Sequence, residues 1–336
     1  MAPPPGVSTP ESYGIDHSSA AATLPDTVPT SAHVEDLLAV TATVPMGELD
    51  SAIAIYTSEF DWVVRWSGAM GALGESWGIG SDRRMACLAP AGETRGWLRL
   101  VEGPTPSPAP LSTWGWNAIE ICVADVDGMM EQVSTSAHFR VNGHPVDLAI
   151  SDDPPGQRAM QAVGPHGLQT FLTQVLYQIP GMELLVPPPG AKVGGIFIAV
   201  LAARSYDQAI GFYTGGLGLE TKLEFEYRPT AAREHNWPEG DKIRIAALKT
   251  RGVTLIELGG YGDHAGPRPT LPGELPPALG MASFITEDLK ASVVRAVGAG
   301  ARVVADALAV THPPYEGRTS ILVKAPGGEL IELIGP

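Results

Sequence analysis

The sequence YDQAIGFYT at residues 206–214 has a near-copy, LDSAIAIYT, at residues 49–57. In both copies an aspartate precedes apolar residues at the spacing of one helix face, and this aspartate can complement a helix N-terminus. A second stretch, APGGELIEL at residues 325–333, corresponds to GPHGLQTFL at residues 164–172. There a turn rich in Gly and Pro leads into an apolar strand. The copies lie 157 and 161 residues apart, so the chain contains a tandem repeat.

Shorter matches divide each copy of the repeat again. WLRL at residues 97–100 corresponds to LIEL at 255–258, and VADV at 123–126 corresponds to TEDL at 286–289. The matches define four modules, at about residues 37–104, 114–176, 193–262 and 278–336. Each module is predicted to contain a strand, a helix and then short strands separated by turns, which is a βαβββ unit of an α+β fold. A lone unit would leave one sheet face open, so we expect the modules to pair into two half-barrels.

This arrangement resembles the vicinal oxygen chelate superfamily, which includes glyoxalase I, extradiol dioxygenases, fosfomycin-modifying enzymes and bleomycin-binding proteins. The resemblance extends from about residue 37 to the end of the chain and rests on the repeated stretches in register. PYEGR at residues 314–318 is also similar to the turn that precedes the family's final hairpin. The resemblance implies four βαβββ modules paired into two half-barrel, glyoxalase-like domains.

The chain is expected to divide into four segments. Residues 1–36, rich in Pro, Ser, Thr and Ala, are predicted to form a disordered leader. Residues 37–178 are predicted to be an N-terminal βαβββ pair with a structural or interface role. Residues 179–192 contain PPPG and form the expected linker. Residues 193–336 are then the C-terminal pair that carries the candidate active site.

Charge and cysteine content exclude several classes of function. The net charge of −15 argues against nucleic acid and against an anionic membrane surface as partners. Cys87 and Cys122 both lie in apolar segments, which does not indicate a disulfide framework and favours a reducing compartment. No apolar run reaches the length of a membrane helix. The sequence therefore predicts a soluble, cytoplasmic protein.

The resemblance identifies candidate metal ligands on the first and last strands of each module. Metal-dependent members of the superfamily usually have His on the first strand and Glu on the last. In the C-terminal half the last-strand positions are Glu257 and Glu332, whereas the first-strand positions fall near Gly195 and Met281. Without a first-strand histidine, a site with two His and one carboxylate for O₂ chemistry cannot be built there. Glu257 and Glu332 are expected either to hold one divalent metal ion with other ligands, or to act as a metal-free acid and base.

Loops of the C-terminal half supply further candidates. His235 lies in the insertion of the third module, and Tyr315 and Arg318 lie in the turn before the final hairpin. We expect Glu257, Glu332 and His235 to be catalytic. The expected substrate-binding residues are Tyr315, Arg318, Trp237 and His312.

Two charged residues stand out in the N-terminal half. Arg99 takes the place that Glu257 has in the third module, and Glu120 falls on the same predicted concave face. This suggests that an internal ion pair has replaced a metal ligand.

These observations lead to one main hypothesis and two alternatives. The main one is an enzyme of lyase or isomerase type that acts by proton transfer on a small aromatic or carbonyl-bearing substrate. The first alternative is a metal-free protein that binds and sequesters a small molecule, of the bleomycin-resistance type. The second is a metal-dependent dioxygenase or glyoxalase with a nonstandard ligand set. The Gly-rich stretches at residues 215–218 and 259–262 do not fit a nucleotide-binding fingerprint, so no nucleotide cofactor is expected, and a homodimer is possible.

Overall fold

The computed structural model describes residues 33–103, 108–148, 156–180, 183–250 and 252–336, so residues 1–32 of the expected leader lie outside the described residues. The first module consists of β1 (Val34–Pro45), α1 (Leu49–Phe60), β2 (Val63–Ala69), α2 (Ala72–Ser76), β3 (Arg84–Ala89) and β4 (Trp97–Gly103). The second consists of β5 (Gly115–Val123), α3 (Val126–Thr135), β6 (Arg140–Asp147), β7 (Gln157–Val163) and β8 (Gln169–Val175).

The second pair of modules repeats this order. The third consists of β9 (Val193–Ala203), α4 (Tyr206–Gly215), β10 (Glu220–Tyr227), α5 (Thr230–Glu234), β11 (Ile243–Lys249) and β12 (Thr254–Gly260). The fourth consists of β13 (Leu279–Thr286), α6 (Leu289–Gly298), β14 (Arg302–Ala309), β15 (Thr319–Lys324) and β16 (Leu330–Gly335). Short 3₁₀ turns at Pro165–Gly167 and Gly262–His264 complete the description.

Side-chain caps fix where three of the main helices begin. Asp125 accepts hydrogen bonds from the main-chain N–H groups of Asp127 and Gly128 at the start of α3. Asp288 accepts one from Ala291 at the start of α6, and Ser205 caps α4 in the same way. These side chains satisfy N–H groups that have no partner within the helix, which is why the strand-to-helix transition recurs at the same point of these modules.

The strands form two eight-stranded sheets. One has the order β14-β15-β16-β13-β1-β4-β3-β2 and contains the first and fourth modules; we call it the terminal half-barrel. The other has the order β10-β11-β12-β9-β5-β8-β7-β6 and contains the second and third modules; we call it the central half-barrel. In each, the first strands of two modules pair antiparallel, β1 with β13 and β5 with β9. The predicted α+β class and the pairing of modules into two half-barrels are confirmed.

The partners within each half-barrel differ from the expected ones. Pairing by halves, 37–178 and 193–336, is wrong, because the first module pairs with the fourth and the second with the third. The segment 179–192 accordingly joins two modules of one half-barrel instead of separating two domains. Every first strand offers the same hydrogen-bonding edge, so the repeat alone does not select which module completes which sheet.

The two half-barrels share one apolar core. A single cluster of buried side chains includes Tyr56, Met129, Phe212 and Leu289, one from the helical region of each module. Hydrogen bonds cross between the sheets as well: Trp116 Nε1 on β5 donates to the carbonyl oxygen of residue 330 on β16 at 2.8 Å. No helix in the described part of the chain is long and apolar enough to cross a membrane.

Candidate active site

The inner face of the terminal half-barrel contains a buried ion pair. Arg99 lies on β4 opposite Thr41 of β1, and Glu332 lies on β16 opposite Ser283 of β13. The distance from Arg99 Nη2 to Glu332 Oε2 is 2.9 Å, and both side chains are fully buried. The four positions that face each other across β1, β4, β13 and β16 are thus Thr41, Arg99, Ser283 and Glu332.

Hydroxyl groups complete the surroundings of the carboxylate. Tyr315 Oη donates to Glu332 Oε1 at 2.8 Å, and Ser320 Oγ donates to the same oxygen at 2.5 Å. Ser283 Oγ donates to Glu332 Oε2 at 2.6 Å. Burial raises the pKa of Tyr315 well above its ordinary value, so its hydroxyl remains a donor. A carboxylate with this many donors is satisfied in its buried position.

Each nitrogen of the Arg99 guanidinium also donates a hydrogen bond. Arg99 Nε donates to Thr41 Oγ1 at 2.8 Å, Nη2 donates to Ser283 Oγ at 2.9 Å, and Nη1 donates to Tyr315 Oη. Its Cζ atom lies 4.7 Å from the ring centroid of Trp77, a cation–π contact. The predicted internal ion pair at Arg99 is present, and its partner is Glu332, not Glu120.

Three of the predicted substrate-binding residues belong to this half-barrel. Tyr315 is part of the buried network and is not free to contact a substrate. The ring of His312 stacks on Trp66 with 4.3 Å between centroids, and burial lowers the pKa of His312. Arg318 lies at the turn before β15, where its main-chain N–H donates to the carbonyl oxygen of Tyr315 at 3.0 Å.

The central half-barrel carries a different charge arrangement. Glu257 lies on β12 opposite Val200 of β9, and Glu120 lies on β5 opposite Ile198 of the same strand. Because side chains alternate along a strand, residues 198 and 200 share a face, and the two glutamates lie on that face on either side of β9. The strand axes that carry them are about 10 Å apart, which two glutamate side chains can largely span.

The pKa values of both glutamates are raised. Burial is the main cause that raises the pKa of Glu257, and the negative charge of Glu120 raises it further. Burial also raises the pKa of Glu120, whereas a hydrogen bond from Thr173 Oγ1 to Glu120 Oε1, 2.5 Å long, lowers it. Two such groups release their protons one after the other, as a coupled pair. The Thr173 hydrogen bond favours the ionised form of Glu120, so Glu257 is the better holder of the remaining proton.

Two tyrosines lie near Glu257, and a tryptophan packs against one of them. Glu257 is partly accessible, Tyr227 on β10 is 40% exposed, and Tyr261 after β12 is buried. The charge of Glu257 contributes to raising the pKa of both tyrosines, after burial as the larger cause, so they lie within its electrostatic reach. Trp237 packs edge-on against Tyr261 with 5.6 Å between centroids. His235 follows α5, and its Nε2 lies 2.8 Å from the carbonyl oxygen of residue 110.

The structure therefore separates residues that were predicted to act together. Glu257, His235 and Trp237 belong to the central half-barrel, and Glu332 belongs to the terminal one, so the expected pair of Glu257 and Glu332 is wrong. The partner of Glu257 is Glu120, which the sequence had suggested only as an ion-pair residue. The sequence does contain a signal for it, since Glu120 is the single charged residue of β5 and lies between Ala118 and Cys122.

Neither half-barrel fits a divalent metal ion at the positions that the superfamily uses. In the terminal half-barrel the guanidinium of Arg99 already supplies the positive charge opposite Glu332. In the central half-barrel the corresponding positions are Glu120, Phe171, Val200 and Glu257, which provide two carboxylates and two apolar side chains. Among the residues that the structure describes, no group of three or more His, Cys, Asp or Glu side chains could hold a metal ion.

Comparison with sequence-family models and with curated proteins finds no match. Solved structures do match. Glyoxalase I from Zea mays is 16% identical and superposes with a TM-score of 0.58, covering 89% of this chain and 92% of that one. A proposed dioxygenase from Bacillus subtilis is 10% identical, with a TM-score of 0.60 over 90% of this chain and 86% of that one. At these identities the likeness establishes the fold alone. The chain has the four-module vicinal oxygen chelate fold.

Proposed function

We propose that the central half-barrel is an active site for proton transfer on a small organic substrate, with Glu120 and Glu257 as base and acid. The observation that carries this proposal is the placement of two glutamates on one inner face, on strands separated only by β9. Carboxyl groups whose pKa values are raised toward neutrality, as burial does for both and the charge of Glu120 does further for Glu257, are suited to acid–base catalysis at physiological pH.

The surroundings assign a role to each carboxyl group. Glu120 is 6% exposed and accepts the hydrogen bond from Thr173, which stabilises its ionised form and makes it the base. Glu257 faces that negative charge in a dense environment and is the group that holds the proton at neutral pH. A substrate between them would lose a proton to Glu120 and receive one from Glu257, which is the proton balance of an isomerase. A lyase would use the same two steps with departure of a leaving group.

The aromatic approach supports a substrate with an apolar body. Tyr227, Tyr261 and Trp237 provide the flat walls, and the carboxyl groups provide the polar contacts. Pockets for small molecules commonly combine apolar walls with a few converging polar groups. An aromatic or carbonyl-bearing compound fits this combination.

Proton exchange with solvent tests the proposal without knowledge of the full reaction. The protein is incubated in D₂O with a panel of aryl ketones, aldehydes and hemithioacetals, and loss of the proton signal next to the carbonyl is followed by NMR. We expect exchange of at least one compound by the wild type. In Glu120→Gln and in Glu257→Gln the rate should fall by about 10²–10⁴, the usual contribution of a positioned acid or base.

Glu226→Gln is the matched control, because Glu226 is exposed on β10 and the substitution makes the same chemical change away from Glu120 and Glu257. It should exchange at the wild-type rate. Exchange that persists in both Glu120→Gln and Glu257→Gln would contradict the proposal.

The same experiment addresses a second candidate, a metal-free binding protein. The aromatic walls of the central half-barrel favour it, because they need no catalysis to retain a flat apolar compound. A panel compound that binds to the wild type with no exchange, and with equal affinity in Glu257→Gln, would select the binding protein over the enzyme.

A further inference from the structure

A groove of about 190 Å³ lies where the two half-barrels meet, apart from the glutamate pair. Trp114 and Trp116 from the central half-barrel line it, together with the Gly327–Gly328 turn before β16 of the terminal one. Arg268, on the connection between β12 and β13, lies along the groove. Elements of both half-barrels thus form its walls.

Arg268 brings a positive charge that no carboxylate balances. Its Nη2 donates to the carbonyl oxygen of Trp116 at 2.6 Å, its Nη1 to that of Leu279 at 2.5 Å, and its Nε to Thr113 Oγ1 at 2.9 Å. Nη1 also donates to the carbonyl oxygen of Pro277 at 3.4 Å. All four acceptors are neutral, and within the described ranges no acidic side chain forms an ion pair with this guanidinium. Burial lowers the pKa of Arg268 to about 10, so the group remains charged at neutral pH.

Gly115 lies beside this guanidinium. It has a φ of +105°, a conformation that other residues rarely adopt, and a Cβ there would be in ordinary van der Waals contact with Arg268 Cζ at 3.9 Å.

Two more cations approach the same place. Lys324 lines the groove at the end of β15, and Arg204 lies with its Cζ 4.9 Å from the ring centroid of Trp114. Neither forms an ion pair in the parts of the chain that the structure describes. The carboxylate among the lining side chains is Glu329, which accepts a hydrogen bond from Tyr213 Oη at 2.9 Å. Burial raises the pKa of Glu329, and the hydrogen bond and the charge of Lys324 lower it. Two cations and one carboxylate line the groove, and Arg204 adds a third positive charge at Trp114, so this region is locally positive in a chain of net charge −15.

We propose that this junction groove is a second binding site, for a small aromatic carboxylate. The positive charges favour an anionic ligand. Because the buried charge of Arg268 has no carboxylate partner within the described part of the protein, the anion would supply its counter-charge. The indole of Trp114 provides a flat apolar wall, which favours an aryl carboxylate over a compact inorganic anion. The volume is below the roughly 300–1,000 Å³ of sites for drug-sized molecules, so the ligand is of the size of a single substituted ring.

Calorimetric titration of the full chain with three probes tests this site. Benzoate carries the charge and the ring, benzamide carries the ring alone, and inorganic phosphate carries the charge alone. We expect benzoate to bind at least about tenfold more tightly than either of the others, since a charge-assisted hydrogen bond is worth about 1.5–3 kcal/mol and 1.4 kcal/mol is tenfold.

Variants then locate the site. Lys324→Gln and Arg204→Gln leave the buried Arg268 in place and should each weaken benzoate binding by about threefold to tenfold. Lys222→Gln is the matched control, because it removes an exposed cation on β10, outside the groove. This variant should bind benzoate as the wild type does. Glu257→Gln should also retain benzoate affinity, because the groove is separate from the glutamate pair.

Four results would overturn the proposal. They are the absence of benzoate binding at millimolar concentration, equal affinity for benzamide, affinity for phosphate equal to or above that for benzoate, and affinity unchanged in both Lys324→Gln and Arg204→Gln. Loss of benzoate binding in Glu257→Gln would overturn it as well, because it would place the ligand in the central half-barrel, and would leave the proposed acid–base function standing.

Discussion

Removal of either partner of the buried ion pair is expected to destabilise the protein strongly. Arg99→Met keeps most of the apolar stem but leaves the carboxylate of Glu332 buried without its counter-charge. Glu332→Gln does the reverse and leaves the guanidinium unpaired. Because both side chains are fully buried, each single substitution should cost about 3–5 kcal/mol of unfolding free energy.

The double variant distinguishes an ion pair from two independent residues. If the two costs were independent, they would add to about 6–10 kcal/mol. In Arg99→Met/Glu332→Gln no buried charge remains, and the glutamine oxygen still accepts hydrogen bonds from Tyr315 and Ser320. The double variant should therefore cost no more than one of the single variants, which gives a coupling energy of about 3–5 kcal/mol.

Urea denaturation followed by circular dichroism and tryptophan fluorescence measures these energies. The shared apolar core predicts one cooperative transition reported equally by both probes. A cost below about 1 kcal/mol for either single variant, or strict additivity in the double variant, would refute the reasoning.

Three further predictions follow from the hydrogen bonds and pKa directions. The pKa values of Glu120 and Glu257 are raised from 4.5 to about 7 and about 8, so the folded state binds more protons than the unfolded state and stability falls as pH rises through that window. Glu257→Gln should therefore be more stable than the wild type by about 2–4 kcal/mol near pH 9, and the two proteins should be similarly stable near pH 5. Thermal melts at the two pH values measure this, and an equal difference in stability at both pH values would contradict the raised pKa. Tyr315→Phe removes a donor to the buried carboxylate and should cost about 1–3 kcal/mol in urea denaturation, and a neutral effect would contradict its place in the network. Trp116→Phe removes the 2.8 Å hydrogen bond between the sheets and should lower the free energy of unfolding by a similar amount, with the single transition kept. Two separated transitions would show that the half-barrels unfold independently.

Much of the fold could be predicted from the sequence, because the repeated local patterns depend on short-range physics. Asp125 and Asp288 stand at the same point of their modules, and each caps a helix there. Alternating apolar residues placed Arg99, Glu120, Glu257 and Glu332 on inner faces, where the structure also has them.

The pairing of modules could not be predicted, and the site depended on it. Glu257 and Glu332 occur in the same LIEL context, so the repeat treats them as equivalent. Their chemistry differs because of strands that are distant in the sequence: β4 brings Arg99 to Glu332, whereas β5 brings Glu120 to Glu257. Which strand closes which sheet is decided by packing between whole modules, and that information is not local.

The pairing of β1 with β13 also has a consequence for synthesis of the chain. Val34 and Leu279 begin strands that are neighbours in the finished sheet but 245 residues apart in the sequence. At translation rates of about 5–20 residues per second, the edge of β1 waits about 12–50 s for its partner. The second and third modules are contiguous, so their half-barrel can close while the last module is still in the ribosome. Of the four modules, the first therefore emerges earliest, and its sheet is completed last. Until then the unpaired edge of β1 is available for chaperone binding or for pairing with a wrong strand.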